Sequence, residues 1–167
     1  MRTISTEEQE RFGQLVKECP VCYVGMTIED GSPYVIPMSF GYEKGVLYLH
    51  SAQEGSVISI LEKNPKVCIT FCTPPLLLWQ HEEVACSYGM RADSALCYGK
   101  VAFEEEYDEK VRALNLIMQH YTERDFSYST PAVNGVRIWK VAIEKLSIRE
   151  FGAPSKNALR FRSSRVL

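Results

Sequence analysis

The 167-residue chain lacks an apolar run long enough to cross a membrane. Its most apolar stretch, residues 74–79, is far shorter than the roughly 20 residues that a membrane-spanning helix needs. The first residues are polar and lead into a charged helical pattern, without the apolar core of a signal peptide. We therefore expect a cytoplasmic protein that is not inserted in a membrane.

The sequence also lacks a strong charge of one sign and the glycine-rich motifs of common nucleotide sites. Its formal net charge is −2, so there is no electrostatic reason to expect nucleic acid as a partner. Neither Gly-x-Gly-x-x-Gly nor Gly-x-x-x-x-Gly-Lys occurs. A Rossmann or P-loop nucleotide site is therefore not expected.

The six cysteines do not form the pattern of a disulfide-stapled domain or a metal site. Cys19 and Cys22 make a Cys-x-x-Cys pair, which in other settings is a redox centre or half of a zinc site. The pair falls where a helix ends and a strand begins, whereas a redox pair favours a helix N-terminus. No second pair completes a zinc site. We therefore predict that the cysteines are structural thiols and that the protein holds no metal.

Residue patterns predict one domain over residues 1–167, built from short strands and a few helices. A capping box at Ser5 and Glu8 begins the first helix, which Pro20 ends. Residues 76–83 are predicted to be a loop, and residues 155–167 a flexible basic tail. The predicted strands cover residues 21–28, 34–42, 46–50, 67–73, 84–88, 95–103 and 136–148, with a helix at 108–121. Closely spaced antiparallel strands favour an α+β barrel over a doubly wound sheet.

The stretch from Tyr34 to Pro65 has the features of a ligand cradle. Residues 34–42 and 46–50 have strand patterns and are separated by a turn, in which Gly45 supplies a positive φ. The chain then leaves the strand through small and hydroxylated residues and enters a helix that ends near Asn64. The first N–H groups of a helix have no partner within it, so this junction can hold a phosphate.

Three segments of this stretch, residues 33–42, 46–52 and 64–67, together with Gly55, resemble the flavin-binding split-barrel superfamily related to pyridoxamine 5′-phosphate oxidase. In particular they resemble its branch of nitroimidazole-resistance, nitroreductase-like proteins, with a similar His-Ser-Ala…Gly…Asn-Pro series. The resemblance extends more thinly from Cys19 to about Tyr121. It implies an α+β fold, a mainly antiparallel FMN-binding split β-barrel with flanking helices. It also implies FMN as the cofactor, with FAD as the alternative.

The resemblance assigns roles to individual residues, each of which also has a structural alternative. His50 would face flavin or substrate and act as a proton donor, although a lone histidine is more often a structural hydrogen-bonding group. Pro37 lies in a strand and either blunts a sheet edge or marks the wall of the ring site. The serines near the helix start either bind phosphate or cap the helix. The residues expected near the cofactor are Pro37, Met38, Ser39, His50, Ser51, Ala52, Gly55, Ser56 and Ser94.

The sequence departs from the family pattern at two places. Relatives often carry a lysine two residues after the glycine, where it can pair with phosphate, and this chain has Val57 there. Arg91 is a candidate substitute. The aromatic and basic residues that precede the serine in relatives are here Ala92 and Asp93, although Ser94 is kept. Gly99 is also kept and predicts a bulge or a close approach of another strand.

The leading functional hypothesis is a flavin-dependent oxidoreductase that passes electrons from a nicotinamide donor, NAD(P)H, to a small nitroaromatic or quinone-like acceptor. The alternatives are a non-catalytic flavin- or haem-binding protein, with His50 or His81 as axial ligand, and a structural dimer with an empty cradle. The true pyridoxamine phosphate oxidase activity is not expected, because the tail lacks the corresponding substrate-binding pattern.

A homodimer is expected for two reasons. One hairpin gives a planar ring only one wall, and residues 76–79 are too apolar to remain exposed on a soluble monomer. Trp79, in this run, would be either a lid over the ring or an anchor of the interface between subunits. An isologous interface would bury this run twice and complete two cradles.

Overall fold

The described residues form an antiparallel sheet of nine strands with four α-helices around it. The structure is a computed structural model, and it describes residues 4–152 and the backbone of residues 162–165. The helices are α1 (Thr6–Lys17), α2 (Ser56–Lys63), α3 (Tyr107–Tyr121) and α4 (Thr130–Asn134). The strands are β1 (Cys22–Thr27), β2 (Pro33–Met38), β3 (Gly41–Glu43), β4 (Val46–Ala52), β5 (Lys66–Cys72), β6 (Leu76–Trp79), β7 (Tyr88–Glu104), β8 (Val136–Phe151) and β9 (Arg162–Arg165).

The main strand order is β2-β1-β5-β7-β8-β4-β3. Strands β2 and β3 follow each other in the chain but lie at opposite ends of this order, so the sheet is curled without being closed. Strand β6 pairs with the first residues of β7 on one side and with β9 on the other. The predicted fold class, a mainly antiparallel split barrel with flanking helices, is confirmed.

The interior of the sheet holds a single large apolar cluster to which α1 and α2 contribute. Phe12 of α1 packs edge-on against Tyr42 and Phe71, and Phe71 packs edge-on against Phe40. Ile58 and Leu61 of α2 are buried in the same cluster. On the opposite face of the sheet, α3 covers Tyr48 and Ile138 in a second, smaller cluster. Side chains on one face of β4 therefore pack in the main core, and those on the other face pack against α3.

The two longest strands, β7 and β8, pair antiparallel over most of their length, and this pairing contains a β-bulge. The register shifts between Tyr98 and Gly99, which pair with Lys145 and Ile143 respectively. A Cβ atom added at Gly99 would lie 2.4 Å from the carbonyl oxygen of Ala142. The bulge and close approach predicted at Gly99 are confirmed.

The predicted hairpin of residues 34–50 is only partly correct. The turn at residues 43–45 is confirmed: β3 and β4 pair across it, and Lys44 and Gly45 have φ values of 47° and 85°. The first predicted strand, however, is divided at Ser39 and Phe40 into β2 and β3. Strand β2 pairs with β1, as expected for a hairpin with its turn at residues 29–32. The Phe40 N–H is taken by the hydroxyl of Tyr121, 3.2 Å away, so it does not continue the ladder.

Two further predictions around residues 76–104 are wrong. Part of the predicted loop is strand β6, because its backbone finds partners in β7 and in β9. The predicted strand at 84–88 is mainly a 3₁₀ turn at Ala85–Ser87, and residues 88–104 are one continuous strand. Strand β9 lies within the predicted basic tail, and the rest of that tail lies outside the described residues.

The cysteines of the Cys-x-x-Cys pair are buried and free, between the end of α1 and the start of β1. The Cys19 thiol donates to the carbonyl of Leu15, and the Cys22 thiol donates to the carbonyl of Met38. Burial raises the pKa of Cys19 to about 11 and that of Cys22 to about 12. Both are therefore protonated thiols at neutral pH. The described residues contain no group of His, Cys, Asp and Glu arranged to hold a metal ion.

In the part of the chain that the structure describes, no helix has both the length and the apolar character needed to cross a membrane.

Candidate functional site

His50 lies near the end of β4, on the face opposite the main core. It pairs with Ile138 of β8, and its ring is partly buried. The Nδ1 atom is buried and has no hydrogen-bond partner. Burial lowers the pKa of the imidazole below its ordinary value, so the ring is neutral at pH 7. A buried ring nitrogen without a partner is uncommon, and it suits a group that bonds to a ligand.

Ser51, the next residue, is already bonded within the fold. Its hydroxyl accepts a hydrogen bond of 3.1 Å from the indole Nε1 of Trp139 and donates one of 2.9 Å to the carbonyl of Ala52. Trp139 is fully buried in the main core. The Ser51 hydroxyl therefore satisfies a core donor, and a role toward phosphate would have to use its remaining acceptor capacity.

The helix that follows, α2, begins at Ser56, after the small and hydroxylated residues by which the chain leaves β4. Gly55 has a φ of 138°, which only glycine adopts readily, and it is the N-cap of α2. No side chain caps this helix, and the first turn contains no acidic residue. The N–H groups at the start of α2 therefore have no side-chain acceptor. Ser56 is exposed beside them, which leaves the junction accessible to an anion.

Two residues that the sequence analysis did not select, Gln53 and Arg137, also belong to this junction. The Gln53 amide nitrogen donates to the carbonyls of Asn134 and Val136, at 2.6 and 2.8 Å. Its amide oxygen accepts from Nε of Arg137, at 3.3 Å. Arg137 is also the cross-strand partner of Ser51. No local pattern in the sequence could reveal this contact, since Gln53 and Arg137 meet only through the β4–β8 pairing.

The remaining predicted residues lie on a different part of the sheet. Pro37 is exposed on β2, an edge strand in the described sheet, as its missing N–H predicts. Met38 points into the core, whereas Ser39 is exposed just after the strand. Ser94 is in β7 and pairs with Cys72 and Arg149.

The structure does not place Ser94 beside His50. These residues pair with Arg149 and Ile138 of β8 respectively, and the two partners are separated by about 36 Å of strand at roughly 3.3 Å per residue. Pro37 and Ser94 lie closer together, with β1 and β5 between their strands. At about 4.8 Å per strand spacing, β2 and β7 are separated by about 14 Å.

The proposed substitute for the missing lysine, Arg91, is not at the helix junction. It pairs with Leu76 of β6 and lines a separate cavity of about 530 Å³ with Glu18, Thr73 and Asp93. Trp79 lies at the end of the same strand, β6, and its ring stacks on that of Tyr88 with centroids 5.8 Å apart. The Trp79 Nε1 atom is buried without a hydrogen-bond partner.

The face of the sheet that carries Pro37 and Ser94 is unusually apolar for an exposed surface. Tyr23 is 47% exposed, Val35 is 60% exposed and Tyr98 is 39% exposed. They lie on β1, β2 and β7, across the same part of the sheet, and Cys68 of β5 pairs directly with Tyr98. A patch of this kind is typical of a surface that another molecule covers.

Comparison with known proteins identifies the fold and its relatives. The family model described as pyridoxamine 5′-phosphate oxidase matches residues 8–150. A solved structure from Bacteroides thetaiotaomicron VPI-5482, named for a suspected role in 5-nitroimidazole antibiotic resistance, is 47% identical, with a TM-score of 0.77. The alignment covers 88% of this chain and 86% of that one. No curated protein sequence matches.

Two more distant structures share the fold. The flavocytochrome Anf3 from Azotobacter vinelandii has a TM-score of 0.75 at 16% identity, over 98% of this chain and 83% of that one. A FAD- and haem-binding protein from Mycobacterium smegmatis has a TM-score of 0.76 at 16% identity, with the same coverage. At this level of identity the similarity establishes the architecture alone.

Proposed function

Because the chain belongs to the pyridoxamine 5′-phosphate oxidase family and resembles its nitroimidazole-resistance branch, we propose that it is an FMN-binding oxidoreductase. Its electron donor would be NAD(P)H, and its acceptor a small planar nitroaromatic or quinone-like molecule. The similarity to the Bacteroides protein, over most of both chains, supports the choice of acceptor. The residues present have to fit a flavin for this proposal to hold.

The single observation that carries the proposal is the unpartnered Nδ1 of His50 next to the uncapped start of α2. A flavin nucleotide has a polar ring edge and an anionic phosphate at its two ends. The start of α2, with Gly55 and Ser56, offers N–H groups to the phosphate. His50 offers a neutral ring nitrogen to a polar group. The residues present therefore fit a flavin nucleotide in this region.

The bound flavin would supply the electron transfer, and the protein would position it and control protons around it. His50 is suited to the second task, because its imidazole is neutral and its Nδ1 has no competing partner. It can hold a hydrogen bond to a polar atom of flavin or substrate and exchange a proton there. Pro37, Ser39 and Ser94 would contact the ring or the substrate from the exposed sheet face.

We also propose that the sites are shared between the two chains of a homodimer. His50 and Ser94 lie in different regions of one chain, so a single flavin touching both would take them from different chains. The exposed apolar face with Tyr23, Val35 and Tyr98 supplies a surface for the second copy to cover. Trp79 is then a candidate interface residue, since its unpartnered Nε1 lies outside the sheet core on β6.

Absorption spectroscopy of the purified protein tests flavin binding directly. FMN added to the protein should stay bound through desalting and lose most of its fluorescence, and mass spectrometry should identify the released cofactor. Reduction by NAD(P)H, followed by reoxidation with a nitroaromatic or a quinone, tests the activity. Failure to retain flavin at micromolar concentration, with the fold intact by circular dichroism, would refute the proposal.

Size-exclusion chromatography with light scattering tests the assembly. The loaded protein should have twice the chain mass of 19.0 kDa. A mixed dimer offers a sharper test, because His50→Ala in one chain and Ser94→Trp in the other should leave one intact site if the sites are shared. A monomeric mass for the flavin-loaded protein would rule out the shared site.

A second candidate function is non-catalytic binding of haem, and the free ring nitrogen of His50 is the observation that favours it. Haem bound through His50 would give an absorption band that disappears in His50→Ala. The same spectrum therefore decides between the two candidates.

A further inference from the structure

The start of α2 needs a cation if it is to select a phosphorylated ligand. Its first turn has no basic side chain, and Val57 occupies the position where a lysine would be useful. Uncharged N–H groups and a helix dipole favour an anion by about 0.3–1 kcal/mol at an exposed site. A charged hydrogen bond contributes roughly 1.5–3 kcal/mol. Recognition of a phosphate therefore depends on a basic residue from another part of the fold.

We propose that Arg137 makes this cradle specific for a flavin 5′-phosphate over the dephosphorylated flavin. The inference rests on the proposed function, and it names the specificity-determining residue of the same site. Arg137 lies directly across the β4–β8 ladder from Ser51. Its Nε donates to Gln53, two residues before Gly55, so the guanidinium is attached to the segment that leads into α2.

The guanidinium of Arg137 is held in place before any ligand arrives. Its Cζ lies 4.9 Å from the ring centroid of Phe103, and the side chain is 23% exposed. Gln53, its partner, is itself fixed by two backbone carbonyls. With Nε committed to Gln53, the terminal nitrogens remain for an anion. A planar, preorganised guanidinium can bind phosphate through two parallel hydrogen bonds.

Two carboxylates now compete for this guanidinium. The Nη1 atom of Arg137 is 3.5 Å from Oε1 of Glu105 and 3.9 Å from Oε1 of Glu62. Both acids are largely exposed, at 68% and 56%, and surface pairs of this kind contribute only about 0–1 kcal/mol. A phosphate can therefore displace them into solvent. The two carboxylates also predict the direction of an effect: removing either negative charge should strengthen phosphate binding.

Two other basic residues are less suited to this role. Lys63 follows Glu62 in the last turn of α2, and its Nζ pairs with Glu29 at 2.5 Å. Arg91 is in the first part of β7, beside β6. Among the described residues, neither forms a hydrogen bond or an ion pair with residues 51–56, whereas Arg137 donates a hydrogen bond to Gln53.

The test compares the dissociation constants of FMN and riboflavin, which differ by the phosphate alone. The wild-type chain should bind FMN more tightly, and Arg137→Gln should reduce this preference at least tenfold while riboflavin affinity changes less than twofold. Arg137→Lys should retain part of the preference, and Glu62→Gln should increase it. Arg11→Gln is the matched control, since it removes an arginine of α1 from an exposed ion pair with Glu150 of β8.

The outcomes separate this inference from the proposed function. Equal losses for FMN and riboflavin in Arg137→Gln would mean a purely structural role and would overturn the inference alone. An unchanged preference, or a decrease in Glu62→Gln, would also overturn it. If Arg137→Gln does not fold, Glu62→Gln and Arg137→Lys decide the question. If the wild-type chain binds neither FMN nor riboflavin, the proposed function itself is wrong.

Discussion

Replacement of Gly99 by alanine tests the close approach of β7 and β8 at the β-bulge. A Cβ atom at this position would lie 2.4 Å from the carbonyl oxygen of Ala142 and 2.8 Å from Cγ1 of Val141. The first of these atoms belongs to backbone in the middle of β8 and cannot rotate away. Gly89, in the same strand, is the matched control, because a Cβ there meets nothing within 4 Å.

The expected cost follows from these distances. Overpacking that forces backbone to shift typically destabilises a protein by about 1–3 kcal/mol. Alanine regains about 0.5–1 kcal/mol over glycine in a strand, because the unfolded chain is less flexible. Gly99→Ala should therefore lower the free energy of unfolding by about 1–2 kcal/mol, whereas Gly89→Ala should leave it unchanged or raise it slightly. For a domain of this size the Gly99 loss corresponds to about 2–8 °C in Tm.

Urea unfolding followed by tryptophan fluorescence provides the measurement, since Trp139 is fully buried and reports on the core. The midpoint should fall in Gly99→Ala with an unchanged slope, as expected for a loss of stability without a change in the unfolding transition. A Gly99→Ala protein that is as stable as Gly89→Ala would refute the bulge register at Tyr98 and Gly99.

Three other predictions concern charge, backbone strain and thiols. Glu104 accepts from Lys140 Nζ at 3.0 Å and from two backbone N–H groups, which together hold its pKa below the ordinary 4.5. Glu104→Gln should therefore lower the free energy of unfolding by about 1 kcal/mol at neutral pH. In urea unfolding, its difference from wild type should vanish as the pH falls through the lowered pKa of Glu104; a difference that does not change with pH would contradict this. Gly55→Ala should lose about 1–3 kcal/mol from strain at positive φ, although the added Cβ meets nothing within 4 Å; Glu54→Ala is its control, and equal thermal stability of the two variants would count against the strain. A thiol reagent should label the exposed Cys86 in the folded protein. The buried Cys19, Cys22 and Cys97, whose pKa values are raised, should react only on unfolding, and rapid labelling of these three would be inconsistent with the fold.

The elements that the sequence predicts well are those with a strong local signal. The capping box at Ser5 is present in α1, with both reciprocal hydrogen bonds. Strands β1 and β5 follow alternating apolar residues that face the core, and the bounds of α3 agree with the predicted helix to within one residue. In each case short-range patterning and burial agree, so tertiary contacts have little to override.

The elements that the sequence misses are those decided by distant partners. Leu76 to Trp79 form a strand only because β7 and residues 162–165 lie on either side. The polar segment around Gly89 and Arg91 continues β7 for the same reason, since its partner β6 supplies the hydrogen bonds. The predicted strand at residues 34–42 is interrupted at Ser39 and Phe40, because the Phe40 N–H donates to the hydroxyl of Tyr121, 81 residues further along the chain. Strand propensity gives no information about which partner is available.

The candidate site divides in the same way. His50, Gly55 and Ser56 can be found from the sequence, because a strand end leads directly into a helix start. Arg137 cannot, because its contact with Gln53 joins residues 84 positions apart in the chain. The Ser51 hydroxyl is likewise committed to Trp139, a partner that only the folded sheet reveals.

The bulge at Gly99 connects the fold to the site. From Ala95 to Phe103, strand β7 keeps its odd-numbered residues facing the core, including Cys97 and Val101. Strand β8 faces the core with Trp139 and Val141 before the bulge and with Leu146 after it, so its inward positions change from odd to even. A one-residue shift in a strand exchanges its two faces. Without the extra residue in β8, either the core contacts of Leu146 or the alignment of Arg137 with Ser51 would be lost. The alignment of Arg137 with Ser51 therefore depends on the bulge beside Gly99, because the bulge lets both ends of β8 keep their required faces.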